Sequence, residues 1–238
     1  MAVAKRGDDR SEENELTIAR HRPMYAAAEA ARWARTSPRT ARRWLAGYEF
    51  TTPEGCRVWS PPVTQRTSED LLTFEDLVEV AAVAAARKEG VSMQKVRQAL
   101  AFAQRELDLE RPLISQRFLT DGRELFIRDI ATTPHFTALN RVGQIVWSQA
   151  ESVLREVDYV SLLAAKWWPT GRHAGIVIDP LVNFGRPVVA TLGVRTETFV
   201  DRWVAGVNLE DLAEEYGTSP MAIEEAVRFE NRSAAIAA

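Results

Sequence analysis

Three arginines in one short segment have the clearest chemistry in this chain. Arg39, Arg42 and Arg43 stand at positions i, i+3 and i+4, so a helix there presents all three guanidinium groups on one face. Like charges on one face repel each other, whereas DNA phosphates and guanine edges bind them, because arginine is the commonest bidentate reader of guanine. An ordinary solvated face is the alternative. The pattern predicts a DNA-binding surface made of Ser37, Arg39, Thr40, Arg42, Arg43 and Arg57.

The uneven charge of the chain favours the same segment. The 238 residues hold 30 Lys+Arg and 33 Asp+Glu, which gives a net charge of -3. Residues 20–66 alone carry +6, and the remainder carries -9. One basic block in an acidic protein indicates that one module binds a polyanion and that the remainder of the chain interacts with a different kind of partner.

A winged helix-turn-helix is predicted to position the arginines. Alanines recur at helical spacing over residues 25–35, and Ser37 with Pro38 is typical of the start of a second helix. Gly47 ends that helix, whose inner stripe is Ala41, Trp44 and Leu45. Residues 48–62 contain three prolines and the pair Val58 and Trp59, a composition typical of a β wing.

The chain divides into four predicted segments. Residues 1–22 are polar and highly charged, and we expect a disordered lead-in. Residues 23–112 form the winged domain with two further helices, which begin after the N-caps Thr73 and Ser92. Residues 113–174 contain a hairpin, a helix and a linker, and residues 175–238 form a helical domain with a second helix-turn-helix pattern. The predicted fold class is mainly α with small β hairpins.

The elements of the last two segments follow from local patterns. An Asp121-Gly122 pair between alternating apolar runs predicts a hairpin over residues 117–127. A helix is expected over 140–157, a linker over 166–175, and two short strands at 176–178 and 186–190. Three helices, at 196–205, 209–216 and 221–231, close the chain.

The C-terminal helix-turn-helix pattern has the wrong charge for DNA. From Gly206 to Ala238 the chain holds seven acidic residues and two arginines, and phosphates would be repelled by such a surface. A basic protein partner suits it better, with a plain solvated surface as the alternative. The candidate partner-binding residues are Trp203, Asp211, Glu214, Glu215 and Tyr216.

Two families resemble parts of this chain. Tyr25, Glu29, Ser37, Thr40, Arg42 and Trp44, with the wing and two further helices, resemble the MerR type of winged helix-turn-helix over about residues 24–111. The stretch from about Ile176 to Glu230, with IDP, FGRPVV, AGVNLEDLAEEYGTS and AIEEAVRFE, looks like a small antitoxin domain of unknown function.

Together the two matches resemble VapB-like antitoxins of type II toxin-antitoxin pairs, of the mycobacterial type. The excess of arginine over lysine, 26 to 4, is typical of a high-GC genome. The resemblance implies a VapC-like PIN-domain ribonuclease as the partner and repression of its own operon. A homodimer on operator DNA is expected because one recognition helix with few base contacts gives little affinity.

Other classes of function are less well supported. His21, His135 and His173 lie far apart without ligand spacing, so neither a metal nor a cofactor is predicted, and no nucleophile motif indicates an enzyme. The lone Cys56 and the lack of a membrane-length apolar run or signal peptide favour a cytoplasmic protein. Two alternatives stay open: a stand-alone MerR-like regulator with a ligand pocket around the hairpin and Trp147, and a protein whose basic segment binds acidic protein.

Overall fold

The computed structural model describes the backbone of residues 2–51, 55–60, 71–128 and 134–237. These ranges contain ten α-helices and nine short strands, so the expected mainly helical fold with small hairpins is confirmed. The helices are α1 Ala2–His21, α2 Ala27–Trp33, α3 Pro38–Ala46, α4 Phe74–Lys88, α5 Met93–Leu107, α6 Gln116–Arg128, α7 Pro134–Leu154, α8 Thr196–Val204, α9 Leu209–Tyr216 and α10 Pro220–Ala237. The strands are β1 Tyr25–Ala26, β2 Tyr48–Thr51, β3 Arg57–Ser60, β4 Leu71–Leu72, β5 Val157–Val160, β6 Leu163–Trp167, β7 Ile176–Val177, β8 Val188–Val189 and β9 Val194–Arg195.

Helices α2 and α3 form the predicted helix-turn-helix. The Ser37 hydroxyl accepts a hydrogen bond from the Thr40 amide at 3.2 Å, which caps α3, and Pro38 occupies its first turn. Gly47, with φ 72°, ends the helix. The inner stripe of α3 is buried as expected, and it consists of Ala41, Trp44 and Leu45.

The predicted wing is an antiparallel hairpin of β2 and β3. Tyr48 pairs with Ser60 and Thr51 with Arg57. Residues 52–54 and the last expected wing residues, 61 and 62, lie outside the described residues. Strand β1, just before α2, pairs with β4, just before α4, and this ties the helix-turn-helix to the helices that follow.

The N-terminal segment, expected to be disordered, is the helix α1. Leu16 and Ala19 are one turn apart on this helix and are buried, and α1 packs on α4. Arg20 is also buried, with its Nε 3.9 Å from a carboxylate oxygen of Glu75. The prediction was wrong because the high charge of the segment hid a short apolar stripe at its C-terminal end.

The hairpin predicted at residues 117–127 is instead the helix α6. Gly122 lies inside this helix, and a Cβ atom there would stand 2.6 Å from Cδ1 of Trp147 on α7. The indole Nε1 of Trp147 donates a hydrogen bond to the Phe118 carbonyl at 3.0 Å. The glycine therefore permits close packing of two helices rather than a turn. We also expected a ligand pocket around this hairpin and Trp147. Because residues 116–128 are helical and Trp147 is buried, the structure does not form that pocket as expected.

The expected linker at 166–175 contains part of a hairpin that the sequence did not reveal. Strands β5 and β6 pair antiparallel, and Ser161 and Leu162 take positive φ values at their turn. The buried Trp167 of β6 exchanges two backbone hydrogen bonds with Ile178, at 2.9 and 2.8 Å. The two predicted strands at 176–178 and 186–190 are confirmed as β7 and β8, which form a small sheet with β9. The C-terminal segment is thus joined to the middle of the chain by paired backbone.

A buried ion cluster joins the start of α4 to the end of α5. The guanidinium of Arg111 donates to Glu75 at 2.9 Å, to Asp76 at 2.8 Å and to Glu79 at 2.6 Å. All three carboxylates are buried. Asp76 also closes a capping box of α4 with Thr73. Arg111 therefore serves three buried carboxylates, of which Glu75 also lies near Arg20 and His21. Among the described residues, Asp76 and Glu79 form ion pairs with Arg111 alone, and this disfavours full ionisation of the cluster.

Burial raises the pKa of Glu79 from 4.5 to about 7, because the shared charge of Arg111 offsets only part of the desolvation. The folded state binds a proton at Glu79 that the unfolded chain releases above pH 4.5. Stability from this proton is therefore complete below pH 4.5 and is lost as the pH rises through about 7. We expect the free energy of unfolding to fall by up to about 3 kcal/mol across this window on account of Glu79.

Urea unfolding at several pH values checks this prediction. The variant Glu79→Gln has no titrating carboxyl at this position, so the difference between it and the wild type isolates Glu79. Its stability should vary less between pH 4.5 and 7 than that of the wild type. Identical pH profiles for the two proteins would contradict the assignment of the proton to Glu79.

Candidate nucleic-acid interface and partner surface

The outer face of α3 carries the predicted DNA-binding arginines. Arg39, Arg42 and Arg43 are exposed, on the side opposite the buried stripe of the helix. The Arg43 guanidinium stacks on the ring of Tyr48 at 5.0 Å, which fixes its direction next to the wing. Within the described part of the chain, no acidic side chain pairs with Arg39 or Arg42. Two guanidinium groups are thus available to an external anion.

The hydroxyl groups at the start of α3 have different tasks. Ser37 uses its oxygen to accept from the Thr40 amide and donates its own proton to the Thr40 hydroxyl oxygen at 2.8 Å. Ser37 is therefore first of all the cap of the helix. Thr40 keeps its hydroxyl proton, which can be donated to a phosphate oxygen.

Arg57 stands on the wing and already has a partner. Its guanidinium lies 2.9 Å from the carboxylate of Glu49 on the neighbouring strand, and both side chains are more than half exposed. Because an ion pair in water contributes little, this contact does not prevent Arg57 from turning to a phosphate. The structure thus places all six predicted residues on α3, its cap and the adjacent wing.

The helix-turn-helix is held to the C-terminal part by ion pairs. Arg32 of α2 lies 2.9 Å from Glu230 of α10 and 3.3 Å from Glu197 of α8. On the same helix, Glu29 pairs with Arg186. These contacts link residues more than 150 positions apart, so the local sequence does not predict them.

Glu230 does not belong to the acidic surface that the charge of the C-terminal segment predicted. Its side chain is buried, accepts a hydrogen bond from the Thr196 hydroxyl and faces Arg32. Burial raises the pKa of this carboxyl, while Thr196 and Arg32 act against that shift. Glu230 is therefore an internal partner of the helix-turn-helix rather than a candidate contact for another protein.

Gly185 marks the closest approach of the C-terminal part to α2 and its flanking strand. It takes φ 68°, and a Cβ atom there would overlap the buried hydroxyl of Tyr25. The Tyr25 ring packs edge-on against Trp33 with centroids 5.5 Å apart. The glycine of the FGRPVV sequence thus allows the C-terminal part to pack against the core of the helix-turn-helix.

Gly185→Ala should lower the free energy of unfolding by about 2–4 kcal/mol, since backbone strain and overlap add. Gly193→Ala is the matched control, because Gly193 has φ 64° and a Cβ atom there would meet no atom within 4 Å. That variant should lose only about 1 kcal/mol from the strained backbone. Equal losses in urea unfolding would mean that the approach to Tyr25 is unimportant.

The candidate partner residues lie on α8 and α9, two helices that both pack against α10. Trp203 at the end of α8 is 43% exposed, a large area for an indole. Glu214 and Asp211 are exposed on α9, and Asp211 also accepts from its helix cap, Asn208, at 2.7 Å. Glu215 pairs with Arg202 of α8. These contacts place the end of α8 beside α9.

Tyr216 has a structural task that the sequence did not indicate. Its ring packs against the buried Phe199 with centroids 5.0 Å apart, and it is only partly exposed. Two apolar residues of the C-terminal helices that the sequence patterns did not single out are more exposed: Val204, at the end of α8, and Met221, at the start of α10. Their residue types alone do not distinguish them from buried apolar residues.

No group of three or more potential metal ligands occurs among the described residues. In the same part of the chain, every helix is too short or too polar to cross a bilayer.

Two protein families match separate parts of the chain. Residues 23–100 match the family described as "Putative DNA-binding HTH domain", and residues 176–229 match "Protein of unknown function (DUF433)". The chain is 26% identical to "Putative antitoxin VapB45" of Mycobacterium tuberculosis, over 90% of this chain and 97% of the relative. The crystal structure of Rv2018 from Mycobacterium tuberculosis has the same fold, with a TM-score of 0.66 and 24% identity over 87% of this chain and 98% of that chain. The chain is therefore similar over nearly its whole length to a protein with the name "Putative antitoxin VapB45", and in this chain a match to a helix-turn-helix family precedes a match to DUF433.

Proposed function

We propose that this protein is an antitoxin that binds operator DNA through α3 and the wing, represses its own operon and neutralises a VapC-like PIN-domain ribonuclease. The observation that carries the proposal is that one chain presents two exposed surfaces of opposite charge. Arg39 and Arg42, which pair with no acid among the described residues, are exposed on the helix-turn-helix, and Trp203 and three acids are exposed on α8 and α9. A relative that spans nearly the whole chain is named an antitoxin.

The DNA-binding part of the proposal follows from the geometry of α3. A recognition helix enters the major groove with its N-terminal residues toward the bases, and Arg39 and Arg42 lie in the first half of α3. The wing next to it carries Arg57 toward a phosphate. A single helix with few base contacts gives modest affinity, so we propose a homodimer that reads two half-sites about 34 Å apart.

The toxin-binding part follows from charge. A ribonuclease must attract RNA phosphates, so the surface around its active site is expected to be basic. The exposed acids Asp211, Glu214 and Glu215 of α9 complement such a surface, and Trp203 offers the large aromatic area typical of interface hot spots. Binding there would also hinder access of RNA to the enzyme.

Titration of the adjacent gene's product with variants of the full chain tests this surface. Trp203→Ala should weaken toxin binding tenfold or more through lost burial, and Glu214→Lys should weaken it through repulsion and increase its salt dependence. Glu106→Lys, which changes an exposed acid on α5 in the same way, is the control and should bind as the wild type does. If Trp203→Ala and Glu214→Lys bind as tightly as the control, this surface does not contact the toxin.

A further inference from the structure

A cleft lies where the helix-turn-helix meets the helices behind it. It has a volume of about 320 Å³ and is walled by the end of α2, by α4 and α7, and by the segment that follows β6. Sites for small molecules typically begin at about this volume. The cleft is separate from the exposed face of α3 and from the acidic C-terminal surface, so neither part of the proposed function uses it.

Apolar and polar side chains share the walls of the cleft. Three alanines of α4 line it together with Val153 and Trp167, and Gln149 and Ser152 of α7 are the polar residues among them. The apolar part of the cleft therefore offers small side chains and the edge of an indole to a bound molecule.

The rim of the cleft is cationic. Arg35 and Lys88 line it and are exposed, and neither forms an ion pair with a described residue. One acid, Glu89, accompanies them, which leaves an excess of one positive charge. Arg35 also takes a left-handed conformation, with φ 56°, in the turn that leads to Ser37. An anionic group at this rim would find two cations, and an apolar body below it would find tryptophan and alanine.

We propose that this cleft binds a small carboxylate with a flat apolar body. The carboxylate lies between Arg35 and Lys88, and the body packs against Trp167 and the alanines of α4. A bound molecule would contact the turn of the helix-turn-helix together with α4 and α7.

Calorimetric titration of the full chain with 2-naphthoate tests the proposal, with the neutral 2-naphthamide as the matched probe. A ligand of this size should bind with a dissociation constant below about 1 mM, at least fivefold tighter than the amide. Ala85→Leu fills the cleft and should weaken binding at least tenfold, and Lys88→Gln should weaken it about threefold to tenfold. Lys95→Gln, at an exposed lysine of α5, is the control and should not change binding.

Three results would overturn the proposal: no binding of 2-naphthoate at millimolar concentration, equal binding of the acid and the amide, or unchanged binding by both cleft variants. Thermal unfolding shows whether Ala85→Leu folds. If it does not, Lys88→Gln, which alters only an exposed side chain, still tests the proposal. Because neither DNA nor toxin is present, the result is independent of the antitoxin function.

Discussion

Replacement of both Arg39 and Arg42 by alanine should lower the affinity for the DNA upstream of the gene by about 100-fold or more. Each bidentate contact of arginine with guanine contributes about 1–3 kcal/mol of discrimination, and each lost phosphate contact removes about one counterion from the salt dependence. The slope of log K against log salt should therefore become shallower by up to about 2 if both arginines contact phosphates. If they contact bases, the loss should be confined to the specific sequence. Gel shifts at several salt concentrations measure both quantities.

The control is Arg105→Ala with Arg123→Ala, two exposed arginines of α5 and α6 whose removal changes the net charge equally. This pair should bind DNA almost as the wild type does. The α3 variant should be at least as stable as the wild type, because it removes mutual repulsion without removing an ion pair. If the two double variants bind DNA equally well, α3 is not the recognition helix.

Arg111→Ala should be strongly destabilising, with a loss of about 3–5 kcal/mol in the free energy of unfolding. The alanine leaves Glu75, Asp76 and Glu79 buried without their shared donor, at contacts that now measure between 2.6 and 2.9 Å. Removal of one partner from a buried ion pair typically costs this much, because the remaining charge stays desolvated. Urea unfolding by circular dichroism measures the loss.

Arg111→Lys separates charge from geometry at this cluster. A lysine keeps the positive charge but lacks the planar fork that reaches three carboxylates at once, so its loss should fall between zero and that of Arg111→Ala. Arg105→Ala, at the exposed surface of α5, should change stability by less than about 0.5 kcal/mol. A loss below about 1 kcal/mol for Arg111→Ala would mean that the carboxylates are neutral or reach water.

Elements with local signals were predictable from the sequence. The cap Ser37, the terminator Gly47 and the pair Thr73 and Asp76 act within one helical turn, so their residue types reveal their tasks. The outward direction of the α3 arginines followed from the same helical register, because the buried stripe of Trp44 and Leu45 leaves only one face for them.

Elements that depend on distant contacts were not predictable. Gly122 belongs to a helix because Trp147 of another helix occupies the space of its side chain, and no local pattern distinguishes this from a turn. The turn between β5 and β6 uses Ser161 and Leu162 in a conformation that normally favours glycine or asparagine. The charge of the C-terminal segment predicted that Glu230 lies at the surface, but it is buried beside Arg32, which is almost 200 residues away in the sequence.

Co-purification with the toxin tests the central claim most directly. The full chain with an affinity tag is expressed together with the product of the neighbouring gene, which we propose to be a PIN-domain ribonuclease, and the eluate is assayed for the second protein and for RNA cleavage. We predict a stable complex in which ribonuclease activity is suppressed, and recovery of that activity with Trp203→Ala. A toxin that does not bind the full chain, or that cleaves RNA equally well in its presence, would contradict the antitoxin function.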